Sequence, residues 1–393
     1  MEKIVITSGV RTAIGAFGGS LKDIPLSQLA AIVTKEAILR SKLEVTEIDE
    51  VVFGSVGQIG ESAYLARMAA IQAGLPVETT ALTVNRLCAS GLQSIISGTQ
   101  SIQTGMSNIV VSGGAENMSQ LPFLDYERRW GRKMGEVTVR DALTEILSDP
   151  FEKYAMGVTA ENVAAKYNIS RDEQDEYAYQ SQHKATQAIE NGAFKNQIVS
   201  IQVPIGREKY QQFDTDEYPK NATSLEKLSK LRPVFRKDGS VTAGNSSGIN
   251  DAASALVLMK ESEAIQRGIK PMVSIKSYAF SGVEPSIMGI GPVPAVKKAL
   301  EKAGLSLDDI GLIESNEAFA AQCLAVSKTL NFNDDIVNVN GGAIALGHPV
   351  GATGNILAVK IMYEMEQRNT RYGLVTLCIG GGQGCAVIFE KYQ

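Results

Sequence analysis

Histidine is scarce in this chain, whose 393 residues include only His183 and His348. Cysteine is scarce as well, and four such residues are too few for a disulfide framework in a chain of this length. Two distant histidines without a close cysteine pair argue against a structural zinc site, and we expect no metal. The composition therefore predicts a reduced, cytoplasmic protein with few possible catalytic constellations.

Other familiar sequence signals are missing too. No run of about 18 or more apolar residues occurs, so a membrane span is not expected, and the segment from Met1 to Ser8 lacks the long apolar region of a signal peptide. The net charge of −5 argues against nucleic-acid binding. No Gly-x-Gly-x-x-Gly opens a helix after a strand, and no Gly-x-x-x-x-Gly-Lys-[Ser/Thr] loop occurs, which excludes the common nucleotide-phosphate motifs.

The chain does contain a repeated pattern of helices and strands. Residues 25–54 read as a helix, a short loop and a strand, and residues 292–315 repeat that order. A Val-Asn strand end follows each unit, at Thr83–Asn85 and at Val337–Asn340, and then a helix and a strand that ends in glycines. This alternation predicts an α/β protein of two similar halves, with parallel sheets and helical crossovers.

The segment between the two halves matches neither of them. We predict a first half of residues 1–117 and about 241–268, an inserted domain of residues 118–240, and a second half of residues 269–393. Within the insertion, the capping box Ser170–Glu173 predicts a long helix that ends near Gly192. Long insertions on a rigid scaffold often carry function, so the insertion is a candidate binding lid.

Cys88 is the first candidate catalytic residue, because a strand ends near Asn85 and a helix begins near Ser90. At that position the free N–H groups and the dipole of the helix favour a thiolate over a thiol. A buried packing cysteine is the alternative interpretation. The small neighbours Ala89, Ser90 and Gly91 leave space for a substrate, and they favour a nucleophile.

Cys378 lies at the end of a core strand and is followed by Gly380–Gly382. A second thiol beside the first could act as an acid–base group, and the glycines could present a backbone N–H to a developing oxyanion. The remaining cysteines, Cys323 on an alanine-rich helix and Cys385 in an apolar strand, are predicted to be core residues. His183 lies on a polar helix face and is predicted to be solvated.

His348 lies in the run Asn340–Gly354, which is rich in small residues. Imidazole moves protons near neutral pH, and small neighbours let a bulky ligand approach closely. Asn316 lies at another predicted strand-to-helix junction. An asparagine there is explained equally well as a helix cap, so it is a weak signal by itself.

Four segments together resemble the motifs of the thiolase family, in matching order and spacing. They are Asn85–Gly91, Asn316–Phe319, Gly341–Pro349 and Cys378–Gly382, and the resemblance covers essentially the whole chain, including Val241–Gly248 and Gly289–Pro294. It implies the thiolase fold, a duplicated five-layer α/β/α/β/α sandwich with a loop domain inserted in the first half. It also implies a homodimer or homotetramer, and no cofactor, because a coenzyme A thioester is the substrate.

The resemblance also implies a role for each catalytic residue. Cys88 would take the acyl group from the thioester, and His348 would deprotonate Cys88. His348 and a water held by Asn316 would stabilise one thioester oxygen, while Cys378 would shuttle the proton of the substrate α-carbon. The N–H groups of Cys88 and Gly380 would form a second oxyanion hole.

Substrate contacts follow from the same resemblance. Ser247 would contact the pantetheine arm, and Lys220 would lie near the nucleotide end of the coenzyme, where arginine is more usual. The other implied substrate-binding residues are Met156, Phe235, Ala243, Met288 and Phe319. Ala155 and Ala89 depart from the usual histidine and glycine, and Ala155 makes a longer 3-ketoacyl chain possible.

The sequence therefore predicts an acetyl-CoA C-acetyltransferase, an acyltransferase that condenses two acetyl-CoA to acetoacetyl-CoA and CoA, or runs the reverse thiolysis, through acyl-Cys88. A degradative 3-ketoacyl-CoA thiolase of broader chain length is the alternative enzyme. A decarboxylating ketoacyl synthase is disfavoured because that family lacks a second thiol such as Cys378. A silent protein that binds acyl-CoA or lipid is disfavoured because Cys88, His348 and Cys378 are all present. Neither nucleic acid nor a membrane is an expected partner.

Overall fold

Residues 2–206 and 208–393, which the computed structural model describes, form strands and helices that alternate along most of the chain. The strands are β1 Ile4–Arg11, β2 Gly15–Ala16, β3 Glu50–Gly54, β4 Thr80–Val84, β5 Ile109–Asn117, β6 Phe123–Leu124, β7 Arg140–Asp141, β8 Ile201–Gly206, β9 Lys209–Phe213, β10 Asn250–Lys260, β11 Val273–Gly282, β12 Leu312–Ser315, β13 Tyr372–Ile379 and β14 Gln383–Lys391. The α-helices are α1 Leu26–Arg40, α2 Leu65–Gln72, α3 Ser90–Thr104, α4 Ala142–Ile146, α5 Met156–Tyr167, α6 Arg171–Glu190, α7 Leu225–Ser229, α8 Glu261–Gln266, α9 Pro292–Ala303, α10 Ala320–Leu330, α11 Ala343–Leu346 and α12 Thr353–Gln367. Each of these helices is too short or too polar to span a lipid bilayer.

The long strands are hydrogen-bonded side by side in the order β12-β13-β14-β11-β1-β10-β5-β3-β4, and the short strand β2 pairs with β10. The first-half strands β1, β10, β5, β3 and β4 are contiguous in this order, as are the second-half strands β11 to β14. The strand pairing between the two halves is limited to Val5–Ser274 and Ile6–Val273. Each half therefore keeps its own sheet.

Helices cover both sheets and fill the space between them. Helices α1 and α2 pack on the first-half sheet, and α9 packs on β11 and β14 of the second half. Helices α3 and α12 contact each other between the sheets, where Leu92, Ile96, Leu357 and Phe389 share one apolar core. The resulting layers alternate helix, sheet, helix, sheet and helix, as the predicted sandwich requires.

The prediction of parallel sheets is only partly right. The pairs β3–β4, β3–β5 and β12–β13 are parallel, but β10 runs antiparallel to both β1 and β5. Strand β14 is antiparallel to β13 because only Gly380–Gly382 separates them, which is too short for a crossover. The predicted strand end at Val337–Asn340 is also wrong, since Val337 makes only an isolated bridge to Ile313.

The insertion leaves and rejoins the sheet at neighbouring positions. Asn117, at the end of β5, pairs with Asp251, near the start of β10. Within the insertion, the capping box of Ser170 and Glu173 opens α6, which confirms the predicted long helix. A fully buried ion pair ties the segment to β1, because the Arg11 guanidinium donates to both carboxylate oxygens of Asp216, at 2.7 and 2.9 Å. The predicted limits at 118 and 240 remain a prediction.

Candidate active site

A tight turn joins β4 to α3 and carries Cys88. Leu87 has a φ of 47°, in the left-handed region that leucine rarely adopts. The Leu87 N–H donates to Oδ1 of Asn85 at 2.9 Å. The Ser90 hydroxyl accepts from the Arg86 N–H at 2.9 Å and donates to the Leu87 carbonyl at 2.7 Å. Side chains on both sides thus hold the strained residue, and the turn presents Cys88 to an adjoining cavity.

The surroundings of Cys88 favour its thiol form over the thiolate. Burial raises its pKa to about 11, and the nearby Glu116 carboxylate adds to the rise. Two backbone N–H groups, from Gly380 and from Cys88 itself, point at the sulfur and lower the pKa, but they do not outweigh burial. The sequence analysis considered only the N–H groups that favour a thiolate, and it did not include this burial.

The turn after β13 brings Cys378 and Gly380 next to Cys88. A Cβ at Gly380 would lie 3.0 Å from Cε of Met156 and 3.3 Å from Cδ1 of Leu87, so a larger residue would crowd the site. Cys378 is fully buried. Burial and the neighbouring Cys88 thiol raise the pKa of Cys378 far above its usual value. The two thiols thus lie close enough to affect each other's ionisation.

His348 is held as a neutral base. Its Nδ1 lies 2.7 Å from the Thr353 hydroxyl, and that hydroxyl donates its proton to the Pro349 carbonyl at 2.9 Å. The Thr353 oxygen therefore accepts from Nδ1–H, which leaves Nε2 as the unprotonated ring nitrogen. Burial lowers the pKa of His348 to about 4, so the ring is neutral and can accept a proton at neutral pH.

Asn316 lies between β12 and α10 and faces His348. Its backbone N–H donates to the Thr376 carbonyl on β13 at 3.0 Å, and its Nδ2 lies 3.4 Å from Nε2 of His348. Its buried Oδ1 has no hydrogen-bond partner among the residues that the structure describes. Because buried amide oxygens normally accept a hydrogen bond, a water or a substrate donor would complete this site.

An apolar cavity of about 60 Å³ opens beside Cys88 and His348. Of the residues expected to bind the acyl chain, Met156, Met288 and Phe319 line this inner cavity. Phe235 does not line it but packs edge-on against Phe319, with ring centroids 6.2 Å apart. The sequence analysis missed other lining residues, which are Val56, Ile146, Leu147 and Val350.

A second cavity, of about 370 Å³, lies among α6, α7 and the segment before β10. Lys220 and Ala243 line this outer cavity together with Lys227, which the sequence analysis missed. The Lys220 ammonium lies 5.5 Å from the centre of the Tyr218 ring. Ser247 lines neither cavity, but its N–H donates at 3.0 Å to the carbonyl of Ala318, which lines the inner cavity. The segment from Ala243 to Ser247 therefore connects the two cavities.

The remaining candidates lie away from the reacting groups. Cys323 and Cys385 are buried, which confirms that they are core residues. His183 is exposed on α6 and stacks against Tyr179. Ala155 is exposed at the start of α5, and Ala89 is fully buried. Within the described parts of the chain, no group of three or more His, Cys, Asp or Glu side chains is arranged to hold a metal ion.

Comparison with known proteins matches both halves of the chain. Residues 4–262 match the family described as "Thiolase, N-terminal domain" and residues 269–391 match "Thiolase, C-terminal domain". The chain is 51% identical to the beta-ketothiolase BktB of Cupriavidus necator over 99% of both chains. It is 51% identical to an acetyl-CoA acetyltransferase of Escherichia coli over the full length of both. The crystal structure of the Bacillus anthracis acetyl-CoA acetyltransferase superposes with a TM-score of 0.98 at 46% identity, covering 100% of this chain and 99% of that one.

Proposed function

Because this chain belongs to the thiolase family, we propose that it is an acetyl-CoA C-acetyltransferase that works through an acyl-Cys88 intermediate. The family and the fold are those that the sequence predicted. One observation carries the catalytic assignment: at the inner cavity, a thiol that accepts two backbone N–H groups adjoins a neutral, buried histidine. A thiol, a base and two fixed donors are the parts that acyl transfer needs.

In the first half-reaction, Nε2 of His348 takes the Cys88 proton and the sulfur attacks the thioester carbonyl of acetyl-CoA. The tetrahedral oxyanion accepts from the N–H groups of Cys88 and Gly380, the two donors that already point at the sulfur. Collapse of this intermediate breaks the bond to the coenzyme sulfur and leaves acetyl-Cys88. The leaving thiolate takes its proton from the Cys378 thiol, which leaves a Cys378 thiolate beside protonated His348, so the step is neutral in protons.

In the second half-reaction, the Cys378 thiolate left by the first removes a proton from the methyl carbon of a second acetyl-CoA. The protonated Nε2 of His348 and a water held by Asn316 stabilise the enolate oxygen. Nδ2 of Asn316 lies 3.4 Å from Nε2 of His348, and its buried Oδ1 has no partner among the described residues, which suits a bound water. The nucleophilic carbon attacks acetyl-Cys88 and forms acetoacetyl-CoA. His348 returns its proton to the Cys88 thiolate and Cys378 keeps the proton from the methyl carbon, which restores both thiols and the neutral ring. Thiolysis is the same sequence in reverse.

The two cavities suggest how a coenzyme A thioester lies in the site. We assign the acyl group to the inner cavity, with Met156, Met288 and Phe319 around it and Phe235 supporting Phe319. The pantetheine arm would follow the segment from Ala243 to Ser247. The nucleotide end would lie in the outer cavity, where Lys220 and Lys227 offer positive charge to phosphate groups. No other cofactor is part of this proposal.

The assembly and the location complete the proposal. We propose a homodimer or homotetramer, because β4 is an end strand of its sheet whose Leu82 is 46% exposed and because Trp130 and Met134 are each 89% exposed. Open strand edges and exposed apolar side chains are features of protein interfaces. The cysteines at positions 88, 323, 378 and 385 are free, and a mechanism that uses two thiols suits the reducing cytoplasm.

Thiolysis by the purified protein tests the proposal. CoA-dependent loss of acetoacetyl-CoA is compared with that of 3-ketoacyl-CoA homologues of six to ten carbons, with Cys88→Ala as the blank. Activity confined to acetoacetyl-CoA is the expected result, because the inner cavity is narrow. Equal or faster rates on long chains would instead indicate the degradative enzyme, and no activity above the Cys88→Ala blank would refute the enzyme assignment.

A further inference from the structure

A buried carboxylate behind the reacting groups has no part in the mechanism above. Glu116 lies next to the end of β5 and is 1% exposed. Its Oε2 accepts from the N–H of Val56 at 2.8 Å and of Gly351 at 2.9 Å, and its Oε1 accepts from the N–H of Gly57 at 3.0 Å. These are three backbone donors from two separate loops. Donors on both oxygens favour the ionised carboxylate, because a protonated one would need an acceptor.

One of these loops supports the nucleophile. The N–H of Ser55 donates to the Val84 carbonyl at 3.1 Å, and Nδ2 of Asn85 donates to the Val56 carbonyl at 3.3 Å. Val84 is the last residue of β4, just before the turn that carries Cys88. Oδ1 of Asn85 also accepts the hydrogen bond from the Leu87 N–H in that turn. The loop that is bonded to Glu116 is therefore bonded to the turn that carries Cys88.

The other loop carries the base. Gly351 follows His348 by three residues, and Val350 between them lines the inner cavity. The approach is so close that a Cβ at Gly351 would lie 2.4 Å from Oε2 of Glu116 and 2.7 Å from Cα of Ser55. A single carboxylate thus joins the base loop to the loop that supports the nucleophile turn.

The carboxylate also acts on Cys88 through its charge. The titratable groups around the Cys88 sulfur are Cys378 from β13, His348 from its loop and Glu116 from β5. Asp251, on the neighbouring strand β10, is not among these groups. Its carboxylate accepts instead from the N–H and the hydroxyl of Ser119. Burial raises the pKa of Glu116 to about 7, so this carboxyl is charged at pH 8 and mostly neutral at pH 6.

We propose that Glu116 is a positioning residue for the Cys88–His348 pair, which ties the loop at Val56 and Gly57 to the loop that carries His348 and places a negative charge near Cys88. This inference rests on the proposed roles of Cys88 and His348. It assigns Glu116 two separable properties, its reach between the loops and its charge. Different substitutions remove one property or the other.

Glu116→Gln removes the charge and also one bond, because the amide NH₂ cannot accept from a backbone N–H. We expect kcat for thiolysis to fall about tenfold or more, with KM changed by less than about threefold. Alkylation of Cys88 by iodoacetamide should be about threefold faster than in the wild type at pH 8 but equal at pH 6, where Glu116 is itself neutral. A merely loosened site would alkylate faster at both pH values.

Glu116→Asp keeps the charge but shortens the reach, so kcat should fall while alkylation stays at the wild-type rate at both pH values. Asp49→Asn is the matched control. Asp49 accepts the N–H groups of Asn108 and Ile109 at the opposite end of β5, so its loss should change neither readout. Unchanged kcat in Glu116→Gln, or the same alkylation ratio at pH 6 and pH 8, would overturn the proposal.

Two further measurements separate the possible failures. If Glu116→Gln does not fold, hydrogen exchange of the wild-type protein still decides the positioning role, since the N–H groups of Val56, Gly57 and Gly351 must then be protected. Exchange as fast as in exposed loops would refute it. If alkylation of Cys88 leaves wild-type thiolysis intact, the proposed function fails rather than the role of Glu116.

Discussion

The hydroxyl of Thr353 should determine the catalytic competence of His348. Thr353→Val keeps the branched shape of the side chain but removes the oxygen that accepts from Nδ1–H at 2.7 Å. The ring is buried, so Nδ1–H would lose its partner without gaining water. The ring would then shift to the other tautomer or rotate, and Nε2 would no longer be the free nitrogen beside Asn316.

The size of the effect follows from the charge that His348 acquires. When Nε2 takes the Cys88 proton, the ring becomes a cation, and a hydrogen bond to a charged group contributes roughly 1.5 to 3 kcal/mol. At about 1.4 kcal/mol for each factor of ten, kcat for thiolysis should fall roughly 10- to 150-fold. KM should change little, because Thr353 does not line either cavity described above.

Thr353→Ser is the matched control, because it keeps the hydroxyl and loses only a methyl group. It should retain a kcat within about threefold of the wild type. Steady-state thiolysis of acetoacetyl-CoA, with thermal unfolding measured in parallel, provides the comparison. A Thr353→Val variant that folds normally and turns over within twofold of the wild type would refute the assigned tautomer. Equal losses in both variants would attribute the effect to packing instead.

Three further predictions concern the nucleophile, the enolate site and the coenzyme. Alkylation of Cys88 by iodoacetamide should accelerate throughout pH 6 to 9, because the pKa of about 11 keeps the thiolate fraction rising; a plateau below pH 8 would contradict the buried thiol. Asn316→Ala should lower kcat roughly hundredfold, as the loss of one oxyanion donor typically does, and a rate near that of the wild type would remove Asn316 from the mechanism. Lys220→Ala should raise KM for CoA severalfold with kcat unchanged, while Lys220→Arg should keep the wild-type KM; equal KM values in all three proteins would place the coenzyme phosphates elsewhere.

The sequence singled out the polar residues that the structure brings together, but it did not indicate the apolar residues around them. Cys88, His348 and Cys378 are few in number and lie in glycine-rich turns, so their chemistry shows in the sequence. Ile146 and Val350 line the same cavity, yet apolar side chains have no chemical signature and these two come from distant segments. A weak signal did exist for Glu116, a carboxylate at the end of the otherwise uncharged strand β5.

The fold shows the same division between local and distant information. The capping box at Ser170 predicted the start of α6 because a cap depends on residues three apart. The direction of β10 depends on distant residues and could not be predicted from local sequence. This strand follows the insertion and pairs antiparallel with both β1 and β5. For a similar reason, the sequence predicted only one of the influences on the ionisation of Cys88. The helix N-terminus is local, whereas the burial that outweighs it comes from segments such as Leu147, Met288 and Gly380.

A neutral resting pair is compatible with rapid turnover. The pKa values of Cys88 and His348, about 11 and about 4, differ by about 7, so moving the proton costs about 10 kcal/mol before the two charges attract. The attraction between the two charges recovers part of this cost, since opposite charges in contact at an effective dielectric constant near 20 attract by about 4 kcal/mol. The remaining 6 kcal/mol or so is less than half of the barrier of about 16 kcal/mol that corresponds to roughly ten turnovers per second. The thiol can therefore stay protonated, and protected from alkylation, until a thioester carbonyl provides the oxyanion that the Gly380 N–H stabilises.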